Sequence, residues 1–379
     1  MDFSLNEDQR AIQDMARQFG DEQIAPFASR WDEMKHWPSD VAAAAGELGF
    51  GSIYVSEEAG GCGLDRVASV LIFEQLARGC PSTAAMISIH NMVAWMIDRF
   101  GDDDQKDRFL PHLVTLENLG SYCLTEPGAG SDAASLRTRA VRDGDSYVLN
   151  GSKAFISGGG ESAIYIVMAR TGDAGPKGIS AFVIEKDTPG LSFGAAEKKL
   201  GWNSQPTAAV ILEDCRVPAE NLLGGEGNGF RIAMQGLDGG RLNIGACSLG
   251  GAGRALDEAI AYTKDRRQFG QRIADFQASQ FKLADMATEL EAARLLTYAA
   301  ADKVSRKAPD ATPAAAMAKR FATDVGFRVT NEALQLHGGY GYLRDYPIER
   351  ILRDLRVHQI LEGTNEIMRV VISRALLKE

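Results

Sequence analysis

The runs Ala163-Ile164-Tyr165-Ile166-Val167-Met168 and Ile179-Ser180-Ala181-Phe182-Val183-Ile184 decide the fold. Both are short, rich in β-branched and aromatic residues, and separated by Gly, Asp and Pro, which is strand sequence. Working outward, Tyr147-Val148-Leu149 gives an earlier strand, and Asp143-Gly144-Asp145 ahead of it reads as a hairpin turn. Ala208 to Leu212 gives a last strand, and Val217-Pro218 closes the region.

Helical periodicity flanks this block on both sides. Ahead of it, Ser4 with Glu7 predicts a capping box, and Ile12, Met15, Ala16 and Phe19 share one helical face. Asp65 to Arg78 and Ser82 to Phe100 are further helices; Met86, Ile89, Met92, Val93, Met96 and Ile97 form a stripe on the second that suits either core packing or a substrate pocket. Behind the block, helices are expected over Gly229–Asp265, Asp275–Lys307 and Thr312–Leu336. Gly236, Gly239 and Gly240 predict a bend or break in the first. Thr364 can cap a fourth, from Asn365 to about Leu377. A β domain set between helical blocks gives an α+β, mainly α protein. Its expected parts are an N-terminal helical domain (1–118), a middle β-barrel-like domain (119–225) and a C-terminal four-helix bundle (226–379).

With 379 residues the chain is long for one core, so several domains are expected. Its net charge of −10 argues against a nucleic-acid surface but not against a small anionic ligand held by a few arginines. Cys62, Cys80, Cys123, Cys215 and Cys247 are odd in number and widely spaced, which predicts reduced thiols. No His/Cys cluster has metal-ligand spacing, so no metal is expected, and His90, His337 and His358 read as structural. No run of about 18 apolar residues predicts membrane insertion. The start resembles no targeting segment. It predicts a bacterial cytoplasmic protein, or a mitochondrial matrix protein whose leader has been removed.

Near the end, Ile360-Leu361-Glu362-Gly363-Thr364-Asn365-Glu366 places a lone carboxylate behind two apolar residues and before a helix. Loss of hydration raises such a carboxyl's pKa toward the range useful to a general base. From these residues alone Glu362 also reads as an ordinary surface carboxylate. Gly128-Ala129-Gly130-Ser131-Asp132-Ala133 fits a dinucleotide fingerprint on paper, but the helix and second parallel strand of that motif do not follow. Asp238 and Arg241 have the spacing of a simple i,i+3 ion pair.

Together these segments resemble the acyl-CoA dehydrogenase family. Ile360–Glu366 is similar to its catalytic-base segment, and Tyr122-Cys123-Leu124-Thr125-Glu126-Pro127-Gly128-Ala129-Gly130-Ser131-Asp132 to its flavin signature. The likeness covers nearly all of the chain. Ser88–Met92, Gly151–Ser157, Gly201–Thr207 and His337–Tyr342 resemble the branch acting on isobutyryl-CoA. The resemblance implies FAD as cofactor, with Tyr122, Leu124, Thr125, Gly130, Ser131, Phe155, Ile156 and Ser157 at the flavin end. Many members carry Trp and Thr where this chain has Phe155 and Ser157. Arg266, Gln268, Phe269, Phe276, Gln277, Gln335, Gly338 and Gly339 are implied to meet the cofactor from a neighbouring subunit, as are Thr364 and Glu366 to touch it. Ser131, Leu237, Asp238, Arg241 and Gly363 are implied to contact the acyl-CoA, and Glu362 to take its α-proton. The expected activity is dehydrogenation of isobutyryl-CoA to methacrylyl-CoA in valine breakdown, with butyryl-CoA and 2-methylbutyryl-CoA as open alternatives. A homotetramer and an electron-transfer flavoprotein as electron acceptor are likewise implied.

Overall fold

In the computed structural model, which describes residues 4–377, the strand-rich middle forms one eight-stranded sheet. Its strands are β1 (Gly120–Cys123), β2 (Arg139–Asp143), β3 (Ser146–Ser157), β4 (Ile164–Arg170), β5 (Ile179–Glu185), β6 (Leu191–Phe193), β7 (Thr207–Pro218) and β8 (Leu222–Leu223). The order is β6-β7-β3-β2-β4-β5-β8, and β1 adds in parallel to β4. Gly144, at φ +66°, makes the β2–β3 hairpin turn that Asp143-Gly144-Asp145 predicts. The strand expected over Ala208–Leu212 runs further, from Thr207 to Pro218, and it does not close the region, because β8 follows it.

The runs in β4 and β5 show no polar alternation because both faces are covered. Tyr165, Val167, Phe182 and Ile184 point into the sheet's own core with Leu149, Val210 and Leu212. Ile164, Ile166, Ala181 and Val183 pack instead on flanking helices, against Val93, Ile97, Phe109 and Ile232. The β domain is thereby fused to helices on either side of it in sequence.

Those helices are α1 (Glu7–Phe19), α2 (Ala28–Met34), α3 (Ser39–Glu47), α4 (Arg66–Gly79), α5 (Pro81–Phe100) and α6 (Asp103–Val114), then α7 (Gly229–Asp265), α8 (Gln277–Ser305), α9 (Ala311–His337), α10 (Ile348–Arg356) and α11 (Asn365–Leu376). The expected Ser4–Glu7 box is replaced by Asn6 and Gln9, whose side chains bond each other's backbone N–H reciprocally. In the C-terminal block, α7, α8 and α9 pack on one another, α11 lies along α9, and α4 crosses over to pack on α7 and α8.

One expectation fails informatively. Helix α7 runs unbroken for 37 residues through Gly236, Gly239 and Gly240. A β-carbon at Gly236 would meet Met96 Cε at 2.1 Å, one at Gly239 the Arg66 guanidinium at 2.5 Å, and one at Gly240 the Glu362 carboxylate at 2.1 Å. Each glycine costs a helix about 1 kcal/mol of propensity, and here each lets a neighbour's side chain lie against the helix backbone. All five cysteines are free thiols. Among the described residues no helix is long and apolar enough to cross a membrane, and no group of three His, Cys, Asp or Glu could hold a metal.

Candidate active site

The turn between α10 and α11 carries Glu362 in left-handed backbone, at φ +51°, followed by Gly363 at φ +87°. A non-glycine residue there costs of order 1 kcal/mol or more and persists only when its surroundings hold it. The hold comes from α9. Lys319, fully buried, donates through Nζ to the Gly363 carbonyl at 2.8 Å and to Asn365 Oδ1 at 3.0 Å. Asn365 Nδ2 in turn donates to Asp324 Oδ1 at 2.8 Å and Thr323 Oγ1 at 2.9 Å. Thr364 caps α11 as its sequence predicts, its hydroxyl accepting from the Ile367 N–H.

Glu362 is partly buried as a residue, but its Oε2 is sealed from solvent and has no hydrogen-bond partner. Burial pushes its carboxyl pKa up to about 7, against the opposing pull of Lys319 and Arg241. Three further buried polar atoms nearby are also without partners: Tyr122 Oη, Arg241 Nε and Arg66 Nη1. Burial, with Glu362 adding to it, raises the Tyr122 hydroxyl pKa. Arg66 lies 3.5 Å over the Tyr54 ring and closes the other side of Gly239. Unpaired buried polar groups are costly, about 1–3 kcal/mol each. Three beside one unpartnered carboxylate define a site shaped to receive a polar ligand rather than a finished core.

The structure divides the remaining expected site residues into two regions. In the first, Tyr122 lies on β1, with Leu124 and Thr125 just beyond it, and the Thr125 carbonyl accepts from Ala154 N–H at 2.9 Å, which ties this loop to β3. Strand β3 bulges between Lys153 and Ile156, and Phe155 in the bulge has φ +60° and is 67% exposed. Bulges of this kind re-aim side chains beside active sites. Ile156 turns the other way into the β core, so only its backbone faces outward. Ser157 accepts from Gln205 Nε2 at 2.8 Å. Gly130 and Ser131 lie in an exposed loop, where a β-carbon on Gly130 would touch nothing. Leu237 is buried among the apolar residues between the β sheet and α5. Asp238 and Arg241 pair with each other at 2.6 Å, and Asp238 also accepts from the Thr312 hydroxyl at 2.7 Å.

In the second region, Arg266, Gln268, Gln335, Gly338 and Gly339 come together in one open groove of about 630 Å³, with Tyr262, Lys282, His337 and Tyr340. Arg266 lies 5.4 Å from the Tyr340 ring centre. Phe269, 94% exposed, meets Phe276 edge-on at 6.3 Å beside the groove, and Gln277 opens α8 there. Gly338 and Gly339 present bare backbone, with nothing near their α-carbons on the open side. None of the first region's residues lines this groove. Glu366, at the start of α11, is 81% exposed at its side chain, near Arg369.

Sequence reasoning missed Arg66, Tyr54 and Lys319. Lys319 had a signal: it shares a helical face with Ala315, Ala316 and Ala322, where a charged residue needs a partner. Arg66 had none, because its role depends on α4 crossing α7. His337, expected to be structural, bonds the Ala333 carbonyl through Nδ1, but its Nε2 is buried without a partner beside the groove.

These features fit FAD: a strained, exposed phenylalanine suits a flat ring, and a basic groove with bare glycine backbone suits a diphosphate. Family models for the N-terminal, middle and C-terminal domains of acyl-CoA dehydrogenases match residues 6–117, 121–215 and 227–377. A mitochondrial isobutyryl-CoA dehydrogenase of Dictyostelium discoideum is 58% identical over 99% of this chain and 90% of that protein. Its Bos taurus counterpart is 56% identical over 100% and 91%. The solved butyryl-CoA dehydrogenase of Megasphaera elsdenii superposes over the full length of both chains, with a TM-score of 0.96 at 43% identity. The chain therefore belongs to the acyl-CoA dehydrogenase family. It is an FAD-dependent oxidoreductase acting on a CH–CH bond.

Proposed function

We propose that this enzyme converts isobutyryl-CoA to methacrylyl-CoA in valine breakdown, with Glu362 as the base. The observation that carries the base assignment is the sealed, unpartnered Oε2 of Glu362, whose pKa stands near 7. A carboxylate poised there is half ionised at neutral pH and basic enough to remove a weakly acidic α-proton. Lys319 and Arg241 lower the cost of the ionised form without bonding it directly. FAD, when bound, supplies the acceptor for the hydride that leaves the β-carbon. The wall around Glu362 excludes water, so its lone pair is free for the substrate. The names of the Dictyostelium and bovine relatives support the isobutyryl-CoA reading.

Tyr122, Leu124, Thr125, Gly130, Ser131, Phe155, Ile156 and Ser157 would hold the ring end of FAD, and Arg266, Gln268, Phe269, Phe276, Gln277, Gln335, Gly338 and Gly339 the diphosphate and adenosine end of a neighbour's FAD. Thr364 and Glu366 would touch the cofactor; Ser131, Leu237, Asp238, Arg241 and Gly363 would contact the thioester and its CoA. A homotetramer, three domains divided near residues 118 and 225, and an electron-transfer flavoprotein as electron acceptor complete the proposal. The protein would work in a bacterial cytoplasm or a mitochondrial matrix.

The test is an anaerobic titration of the yellow protein with isobutyryl-, butyryl- and 2-methylbutyryl-CoA. Fastest bleaching of the flavin band by isobutyryl-CoA is expected. Faster bleaching by a straight-chain thioester would reassign the substrate, and peroxide formation in air would point to an oxidase. No bleaching by any of them would leave only a silent binding scaffold.

A further inference from the structure

We propose that the buried turn Trp202–Gln205 is a positioning element that holds Ser157 and the segment carrying Glu362 in register. This rests on the reading of Ser157 and Glu362 given above. The turn has no place in the chemistry itself, yet each of its four residues bonds a different part of the molecule.

Trp202 N–H donates to Asp354 Oδ1 of α10 at 2.6 Å, and its indole Nε1 donates to His358 Nε2 at 3.2 Å. Asn203 Nδ2 donates to Asp32 Oδ1 of α2 at 3.0 Å, and the Ser204 hydroxyl to Ser82 of α5 at 2.8 Å. Gln205 Nε2 donates to Ser157 Oγ of β3 at 2.8 Å. Trp202 sits at φ +55°, and a β-carbon on Gly201 would meet the Arg353 carbonyl at 2.4 Å. Such tight, strained packing holds only where the surroundings over-determine it.

The bond directions matter. Because Trp202 donates to His358 Nε2, the His358 proton sits on Nδ1 and is given to Ser248 Oγ at 2.7 Å, and Ser248 donates onward to the Ile244 carbonyl at 3.0 Å. Every group in that chain is satisfied. His358 stands four residues before Glu362, and Leu361 N–H bonds back to the Val357 carbonyl at 3.0 Å, so fixing the imidazole fixes the approach to the carboxylate. At the other end, Gln205 fills a lone pair of Ser157 Oγ, which leaves the serine hydroxyl hydrogen free to point into the flavin region. Ser121 Oγ donates to the Ser157 carbonyl at 2.6 Å, and Lys199 Nζ to the Gln205 carbonyl at 2.7 Å, so neither end can drift. One rigid loop thus spaces the hydride-side residue from the proton-side residue.

The test is a double-mutant cycle on the full-length holoenzyme with Gln205→Met, Ser157→Ala and both. Two readouts are used: the anaerobic rate of flavin bleaching by isobutyryl-CoA, and the rate of FAD release on dilution, followed by flavin fluorescence. Loss of one hydrogen bond predicts about fivefold slower bleaching in Gln205→Met, with the half-saturating acyl-CoA concentration unchanged within about twofold and FAD release about threefold faster. Adding Gln205→Met to Ser157→Ala should change neither rate further. Additive losses, or a slow Ser157→Ala beside an unaffected Gln205→Met, overturn the positioning role while leaving the base assignment intact. An unaffected Ser157→Ala overturns the flavin assignment of that serine and this inference with it. If Gln205→Met gives no soluble protein, Gln205→Leu takes its place in the cycle. Trp202→Phe checks the other end: it should raise the isotope effect on α-deuterated isobutyryl-CoA and leave FAD release unchanged. An unchanged α-isotope effect breaks the proposed link to Glu362.

Discussion

Arg241 and Arg266 mark two regions of the molecule built from similar residues to different ends. Arg241 is buried beside Glu362, paired with Asp238. Arg266 borders an open groove and faces the ring of Tyr340. The glycines follow suit: Gly240 has no room for another atom, while Gly338 and Gly339 have nothing near them. The lesson is that one site is enclosed by residues of a single chain, whereas the other is a groove open on one side, which the proposed neighbouring subunit would cover. Catalytic changes should therefore act inside one chain, and cofactor-retention changes should depend on assembly.

The largest expected effect is at the closed site. Glu362→Gln should keep its yellow colour and its thioester binding but lose about 10²–10⁴-fold in turnover; near-normal rates would remove the base assignment. The same variant tests the pKa. A carboxyl raised to about 7 contributes stability that is fully present below its unfolded value of 4.5 and lost as pH rises through 7. Glu362→Gln should then melt above the parent protein at pH 8 and match it at pH 4.5.

Next, Gly240→Ala should cost about 100-fold in turnover and about 1–3 kcal/mol in stability, because its methyl would occupy the carboxylate's place. A variant with normal kinetics would show that the wall can yield. At the open site, Arg266→Ala should weaken FAD retention about tenfold without changing the pH profile, read by flavin fluorescence after dilution. A change in the bleaching rate with FAD fully bound would mean that the two regions are not separate. The smallest shift in the pH profile is expected from Lys319→Met, which also frees the Gly363 carbonyl that Lys319 holds. It removes a cation that favours ionised Glu362, so the inflection of the kcat–pH profile, expected near pH 7 in the parent, should move upward by less than about one unit; a downward move would contradict the sign given to Lys319.

Much of this was legible in residue order. The strands around Ile164–Val167 and Ile179–Ile184, the helix expected over Asp65–Arg78, the Thr364 cap, and the limits of α7 follow from local pattern. The Glu362 motif falls on a turn just before a helix, as its residue order suggests. What could not be read was long-range. Gly236, Gly239 and Gly240 look like helix breakers until α5, Arg66 and Glu362 are seen lying against them. Asn6 outcompeted Ser4 as the first cap because Gln9 completes its box, a choice between neighbours that composition leaves open. Arg66 reaches Gly239 and Lys319 reaches the Gly363 carbonyl across 173 and 44 positions, which no periodicity records.

Phe269 and Tyr342 carry a practical consequence. A single subunit shows 94% of the first and 82% of the second to water. Aromatic faces left bare in this way make a freshly synthesised chain adhesive. If the proposed assembly covers these rings, conditions that dissociate it should produce turbidity before unfolding, and growth with abundant riboflavin should raise the soluble yield.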